Sequence, residues 1–306
     1  MAQSLTDGRL VSSRHAHNLR WALTQGGDDP IVETDLCGFT IKHPLSHALP
    51  IWRRQDTFYS ENLGEVARLV MESGGGAMID VGANIGDSAA IVKAYAPAMS
   101  ILCIDADESY LPFLRENTAR WGDVEIAAPI LLAERTGSVP GKIERAGGTS
   151  RILTTPDNVM CAIRLDDLVA QRSRFRAPAL LKSDTDGFEA RVLSGATSLL
   201  STAGPVLFLE YHPELLRGSG ANGLEMLASL REFGYERIGF YDKFGMLMVR
   251  CTLADEALLR DLHTYAASNS SRGVDHYDVV VATAEDASLI DRLTARPAPG
   301  SAASKG

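Results

Sequence analysis

Between Glu61 and Ser73 the apolar positions Leu63, Val66, Ala67, Val70 and Met71 recur at helical spacing, and Gly74-Gly75-Gly76 ends the run. A short apolar stretch follows, Ala77-Met78-Ile79-Asp80-Val81, then the turn Gly82-Ala83-Asn84-Ile85-Gly86 and a second helical pattern over residues 88–96. Strand, glycine turn and helix make a βα unit. The arrangement repeats: Ile101-Leu102-Cys103-Ile104 reads as a strand, residues 109–121 as a helix and residues 124–132 as a third strand. Later come strands at 179–184 and 205–210, helices at 188–200, 224–233 and 255–267, a hairpin pairing 238–241 with 246–249, and a last strand at 277–282. Strands that are continuously apolar rather than alternating are buried on both faces, as in a parallel sheet covered by helices. Residues 1–60, alternating only around Phe39-Thr40-Ile41, read as a lead-in or cap over the core. Residues 61–290 read as the main domain, with hairpins inserted at its rim along the glycine- and proline-rich stretch 133–178, and 291–306 as a disordered tail.

Composition narrows the partners. A chain of 306 residues with 45% hydrophobic side chains can bury a sizeable core. Its net charge of −9 repels polyanions, which argues against nucleic acid and anionic membrane surfaces. No stretch approaches the ~18 apolar residues of a membrane span, and the opening MAQSLTDGRL lacks the apolar segment of a secretory signal, so a cytoplasmic location is expected. Cys37, Cys103, Cys161 and Cys251 are scattered without a C-x-x-C pair and read as small hydrophobes rather than zinc ligands or disulfide partners.

The chemistry concentrates in Asp80-Val81-Gly82-Ala83-Asn84-Ile85-Gly86. A dinucleotide site needs G-x-G-x-x-G so that backbone amides close on a diphosphate. With Gly82 as the middle glycine, Asp80 and Ile85 stand where the outer glycines belong, so a carboxylate meets the diphosphate and a nicotinamide oxidoreductase is disfavoured. A ligand carrying an ammonium and a sulfonium instead of phosphates, such as S-adenosylmethionine, suits Asp80, directly or through water. Asp105, at the end of the second strand, is placed to accept from two ribose hydroxyls. An ordinary βα turn with Asp87 as a helix cap is the plainer reading of the same residues.

These segments resemble the FkbM family of S-adenosylmethionine-dependent methyltransferases. DVGANIG, CIDAD, ERTGSV, GGTSRIL, RLDDL, LKSDTDGFEARVLSGA and LFLEYHP follow the family's order over about residues 56–283. Lys182, Asp184, Asp186, Gly187, Glu189, Val192, Leu193, Gly195 and Ala196 match its most specific block, whereas Ser183 and Thr185 replace usual aliphatics, Asp186 a Glu, and Asp105-Ala106 a Glu-Pro. The resemblance implies a class I methyltransferase (Rossmann-like) α/β fold, a seven-stranded, mostly parallel sheet of order 3-2-1-4-5-7-6 with helices on both faces and an N-terminal cap. It implies methyl transfer from S-adenosylmethionine to a hydroxyl of a saccharide or secondary metabolite. A catalytically idle scaffold that kept the fold is the alternative.

The cofactor is expected against Asp80, Gly82, Asn84, Gly86, Asp105, Ala106 and Leu131, with Glu61, near Tyr59, reaching it from the lead-in helix. His212, titrating near neutrality, is the expected base; a cap on the strand end is its plainer role. Asp184 assists as base or contacts the methionine ammonium, unless it caps the helix near Phe188. Lys182 is a substrate-facing cation or an ion-pair partner of Asp184 or Glu210. Asp184, Asp186 and Glu210 are oxygen ligands of the kind Mg2+ takes, but without visible geometry no metal is assigned. The hairpin turn 241–245 and the stretch 147–153 are expected walls of the acceptor pocket, with Tyr211 and Tyr241 as sugar-stacking candidates.

Overall fold

Successive residues of the central strands point into two different apolar layers, which is why their sequence shows no polar alternation. The computed structural model describes Thr24 and residues 29–55, 58–146, 148–269 and 273–294. It begins with a hairpin, β1 (Ile31–Leu36) and β2 (Phe39–Pro44), turned at Cys37 and Gly38, both with positive φ. Helices α1 (Leu49–Gln55) and α2 (Glu61–Glu72) lead to β3 (Ala77–Val81), α3 (Asp87–Tyr95), β4 (Ser100–Ile104), α4 (Leu111–Thr118) and β5 (Val124–Ala127). The inserted rim comprises β6 (Leu131–Leu132), β7 (Gly137–Pro140), β8 (Lys142–Ala146), β9 (Thr149–Leu153) and β10 (Val159–Ile163). Then follow α5 (Leu165–Ala170), β11 (Leu180–Ser183), α6 (Glu189–Ser194), α7 (Thr197–Thr202), β12 (Val206–Tyr211), α8 (Pro213–Gly218) and α9 (Gly223–Leu230). The chain closes with β13 (Tyr235–Asp242), β14 (Leu247–Thr252), α10 (Glu256–Asn269), β15 (Tyr277–Thr283) and α11 (Ala287–Arg292).

The main sheet runs β14-β13-β15-β12-β11-β3-β4-β5, with β15 antiparallel to both its neighbours. Without β14 this is the expected order of seven strands; the eighth continues the β13 hairpin to the sheet edge. Ile79, Val81, Leu181, Leu207 and Leu209 face one layer, with residues of α5 to α10. Met78, Ile101, Leu180, Val206 and Val280 face the other, with residues of α2, α3, α4 and α11. Asp80 and Lys182 sit directly opposite each other on neighbouring strands, on this second face.

Several elements differ from the periodicity. The helix expected over 188–200 breaks into α6 and α7 because Gly195 lies against the Ala133 carbonyl, where a Cβ would come within 2.2 Å of the oxygen. The strand expected through residue 132 stops at Ala127, and after Ala128-Pro129 the chain pairs β6 with β10 instead. Helix α11 continues past residue 290 and Leu293 is buried, so the ordered chain outlasts the expected boundary; residues 295–306 of the expected tail lie outside the described residues. Among the described residues no helix is long and apolar enough to cross a membrane.

Candidate active site

The carboxyl ends of β3, β4 and β11 open into a cleft of about 1120 Å³, its solvent-open mouth included, roofed by the β8–β9 hairpin and walled by α1 and the start of α2. Strand ends are where open α/β sheets bind ligands, because the loops there diverge. Gly82 forms the tightest point: its φ is +81°, and a Cβ would fall 1.8 Å from the Asp184 carbonyl oxygen. Only glycine lets the β3 and β11 loops touch this closely.

Asp105 ends β4 with its carboxylate already oriented. Oδ2 accepts from the Asn84 backbone N–H at 2.7 Å and Oδ1 from that of Asp107 at 2.7 Å. Each oxygen keeps a further lone pair, and the residue lines the cleft. Burial outweighs the two amide bonds and lifts its pKa to about 6. Asn84, held at φ 46°, donates its side-chain amide to Gly148 in the roof at 2.8 Å.

The roof is stapled down by Asp107. Its carboxylate accepts from Arg145 Nε and Nη2, both at 2.6 Å, from Ser150 Oγ at 2.5 Å, and from Ser109 N and Oγ. Burial opposes ionisation, but these donors prevail and bring Asp107 down to about 2. Of the stretch 147–153 expected to wall the acceptor pocket, Thr149, Ser150 and Ile152 face this cleft, as does Ile143 of the same hairpin.

Beneath the floor, Lys182 Nζ lies 3.0 Å from Asp80 Oδ1, 3.2 Å from the Gly82 carbonyl and 3.7 Å from Asp184 Oδ2. Burial works against this ammonium, yet Asp80 and Asp184 hold it charged, well above its ordinary range. Asp80 itself is fully buried and does not line the cleft; its Oδ2 has no hydrogen-bond partner among the described residues. Asp87, at the start of α3, does line it and is pushed by burial to about 6. Asp184 stands half exposed and lines the cleft. The loop behind it is shaped by buried Glu189, whose Oε1 accepts from Thr185 N at 2.7 Å and Thr185 Oγ1 at 2.8 Å.

Past Asp184 the cleft continues into a second chamber lined by Trp52, Tyr59, Asp186, Glu210, Lys243, Phe244, Asp275, His276 and Asp278. Trp52 stacks on Tyr59 with centroids 5.6 Å apart. Asp278 Oδ2 accepts from Asn62 Nδ2 of α2 at 2.7 Å.

Of the expected residues, the structure gathers Gly82, Asn84, Asp105, Ala106, Leu131, Lys182 and Asp184 around one cleft. Others lie elsewhere. His212 is the N-cap of α8, its Nδ1 accepting from Leu215 N at 3.3 Å, and it lines neither chamber. Glu61 points away from the cleft, accepting from Tyr95 Oη, while its neighbours Tyr59 and Ser60 line the cleft. Gly86 supplies a turn at φ +88° before α3, packed against Leu114 and Thr118 rather than the cleft. Tyr211 and Tyr241 are buried, Tyr211 bonded to His263 at 2.7 Å, so neither offers a stacking face. Among the described residues no group of three His, Cys, Asp or Glu is arranged to hold a metal ion. Sequence reading missed Trp52, Asp107, Asp278 and His276.

The chain matches the methyltransferase FkbM domain over residues 80–237, more than half its length. It belongs to the FkbM methyltransferase family. This FkbM chain is 26% identical over 196 residues to the hexuronic acid methyltransferase AglP of Haloferax volcanii, covering 62% of this chain and 78% of that protein. Among solved structures it is similar to methyltransferase FkbM from Methylobacillus flagellatus KT, at 17% identity and a TM-score of 0.43, over 68% of this chain and 43% of that one, less than half that protein's length. It is also similar to M. jannaschii TYW2 in complex with AdoMet, at 11% identity and a TM-score of 0.42, over 83% and 86%. Methyl donation in this FkbM chain is from S-adenosylmethionine.

Proposed function

We propose that the protein methylates a hydroxyl of a saccharide, or of a sugar-like secondary metabolite, in the cytoplasm where the donor is made. One observation carries the reading: the pre-bonded Asp105 carboxylate opens into the same cleft as a chamber lined by aromatic rings and carboxylates. Carboxylates accept from sugar hydroxyls, and the Trp52–Tyr59 pair offers a flat apolar face to a ring. The hexuronic acid named for AglP supports a sugar as acceptor.

The residues fit the donor. Asp105 has lone pairs left for ribose hydroxyls, Ala106, Leu131 and Ile152 give an apolar wall for a flat base, and Gly82 and Asn84 form the cradle. Asp184 and Asp87 line the cleft and supply negative charge for the amino-acid end, directly or through water, while Asp80, buried beneath the floor, acts through Lys182. The same acids disfavour a nicotinamide dinucleotide, whose diphosphate they repel. When bound, S-adenosylmethionine supplies a methyl group activated by positive sulfur. The chain's task is to align the acceptor oxygen and remove its proton. Lys182 acts from below, fixing Asp80, the glycine turn and Asp184 in one arrangement.

Calorimetry with S-adenosylhomocysteine and NADH, on the wild type and Asp105→Ala, tests the donor half. Tight binding of the nucleoside, no binding of NADH and a loss of about tenfold or more in the variant are expected, since Asp105 contributes charge-assisted hydrogen bonds. Unchanged affinity in Asp105→Ala overturns the assignment. Methyl transfer to a sugar panel separates an enzyme from an idle scaffold, which binds the nucleoside but produces none.

A further inference from the structure

The second chamber contains a histidine that the expected site did not include. His276 precedes β15, and because that strand runs antiparallel, its start lies at the same sheet edge as the ends of β3, β4, β11 and β12. Its Nδ1 is 2.8 Å from Asp275 Oδ1. An ionised carboxylate only accepts, so in the neutral ring the proton resides on Nδ1 and Nε2 carries a free lone pair. No described residue bonds Nε2, and the ring lines the chamber with about a quarter of its surface open, 26%. The His212 ring lies parallel to it at 5.9 Å, but that ring is committed to capping α8.

We propose that His276 Nε2 is the general base that takes the proton from the acceptor hydroxyl, with Asp275 positioning the ring. This rests on the methyl-transfer reading above. In the step, the acceptor O–H bond breaks and its proton goes to Nε2. A bond forms between that oxygen and the methyl carbon, while the carbon–sulfur bond breaks and its electron pair stays on sulfur. S-adenosylhomocysteine leaves neutral, and the positive charge passes from sulfonium to imidazolium beside Asp275. The partly open ring then returns its proton to solvent.

The charged surroundings define a pH signature. His276 faces Asp275 and Asp278 on its own segment, Asp184 and Asp186 from the β11 loop, Glu210 from β12, His212 before α8, and Lys243 from the β13–β14 turn. Burial disfavours the charged ring, but the acids outweigh it and raise its protonation point above 6.5. Turnover therefore climbs with pH through a value above the ordinary histidine one.

The test measures S-adenosylhomocysteine release by the full chain over about pH 5.5–9, a range that brackets histidine titration. Neutral sugars, amino sugars and uronates serve as acceptors. Wild type, His276→Gln, His276→Ala, Asp275→Asn and His212→Asn are compared, with nucleoside affinity by calorimetry as the check on folding. His276→Gln is expected to lose about 100-fold or more in kcat with nucleoside affinity within about twofold, the scale of a lost general base. Imidazole should restore part of the turnover of His276→Ala, Asp275→Asn should move the acidic limb to lower pH, and His212→Asn should stay within a few-fold of wild type. His276→Gln with wild-type kcat and pH profile overturns the proposal while leaving methyl transfer intact. A wild type that binds the nucleoside but methylates nothing overturns the underlying reading, and the proposal with it.

Discussion

Lys182 and Asp80 face each other across neighbouring parallel strands, Nζ 3.0 Å from Oδ1, with both side chains almost wholly removed from water. A buried pair of this kind adds little net stability over an apolar pair, but losing one partner strands the other charge. Lys182→Met is therefore expected to cost about 3–5 kcal/mol in denaturant unfolding. The double variant Asp80→Asn, Lys182→Met should recover a measurable part of that loss. A double variant less stable than the single one refutes the coupling.

With Asp105 on the ribose, as proposed, donor binding acquires a pH dependence. Its pKa is raised to about 6, and ribose hydroxyls require the ionised form, so affinity is full above that value and falls as pH drops through it. Calorimetry with S-adenosylhomocysteine should show weakening of about tenfold per pH unit below 6. Asp87, also near 6, steepens the decline. Asp105→Asn should bind weakly and with less dependence on pH; a wild-type affinity that is level between pH 7 and 5 contradicts the role.

The Asp107 staple is a stability device. Its pKa is lowered to about 2, so its contribution is complete above the ordinary carboxylate value near 4 and is lost as pH falls towards 2. Asp107→Asn should lose about 1–2 kcal/mol at neutral pH, a figure reduced for the half-exposed Arg145 partner. The gap from wild type should narrow between about pH 4 and 2. Thermal unfolding across pH checks this, and a gap that widens on acidification excludes it.

If the second chamber takes the acceptor, as proposed, it also sets the acceptor's charge. Asp184, Asp186, Glu210, Asp275 and Asp278 line it against Lys243 and His276, and burial, with repulsion from Asp184 and Glu189, pushes Asp186 to about 7. A neutral or ammonium-bearing sugar should be methylated with a kcat/KM about tenfold or more above that of the matching uronate, the discrimination that one added like charge brings. Competition between glucose, glucosamine and glucuronate measures it. Preference for the uronate refutes it.

Much of the donor half was legible because it is local. The glycine turn, Asp105 at a strand end and the Lys182–Asp184 block each lie within a few residues of the strand that positions them. The acceptor half depends on contacts that no short window contains. Asp107 meets Arg145 across 38 residues, and Asn62 meets Asp278 across 216. His212 and His276 look alike as isolated letters; only the cap to Leu215 and the direction of β15 separate a structural ring from one facing the chamber. Strand β1 was missed because its letters do not follow its faces: apolar Ile31 is exposed beside Glu33 and Asp35, and polar Thr34 shares the inward face with Val32 and Leu36.

The reversed final strand divides labour along the chain. The groups assigned to the nucleoside come mostly from the first two-thirds of the sequence, whereas Asp275, His276 and Asp278 arrive from the last third, carried to the same rim because β15 enters it from the opposite direction, and Lys243 reaches it from the turn after β13. On the proposed reading, changes at Lys243, Asp275 or His276, which do not line the donor cleft, retune which alcohol is accepted while the machinery that grips the donor stays untouched.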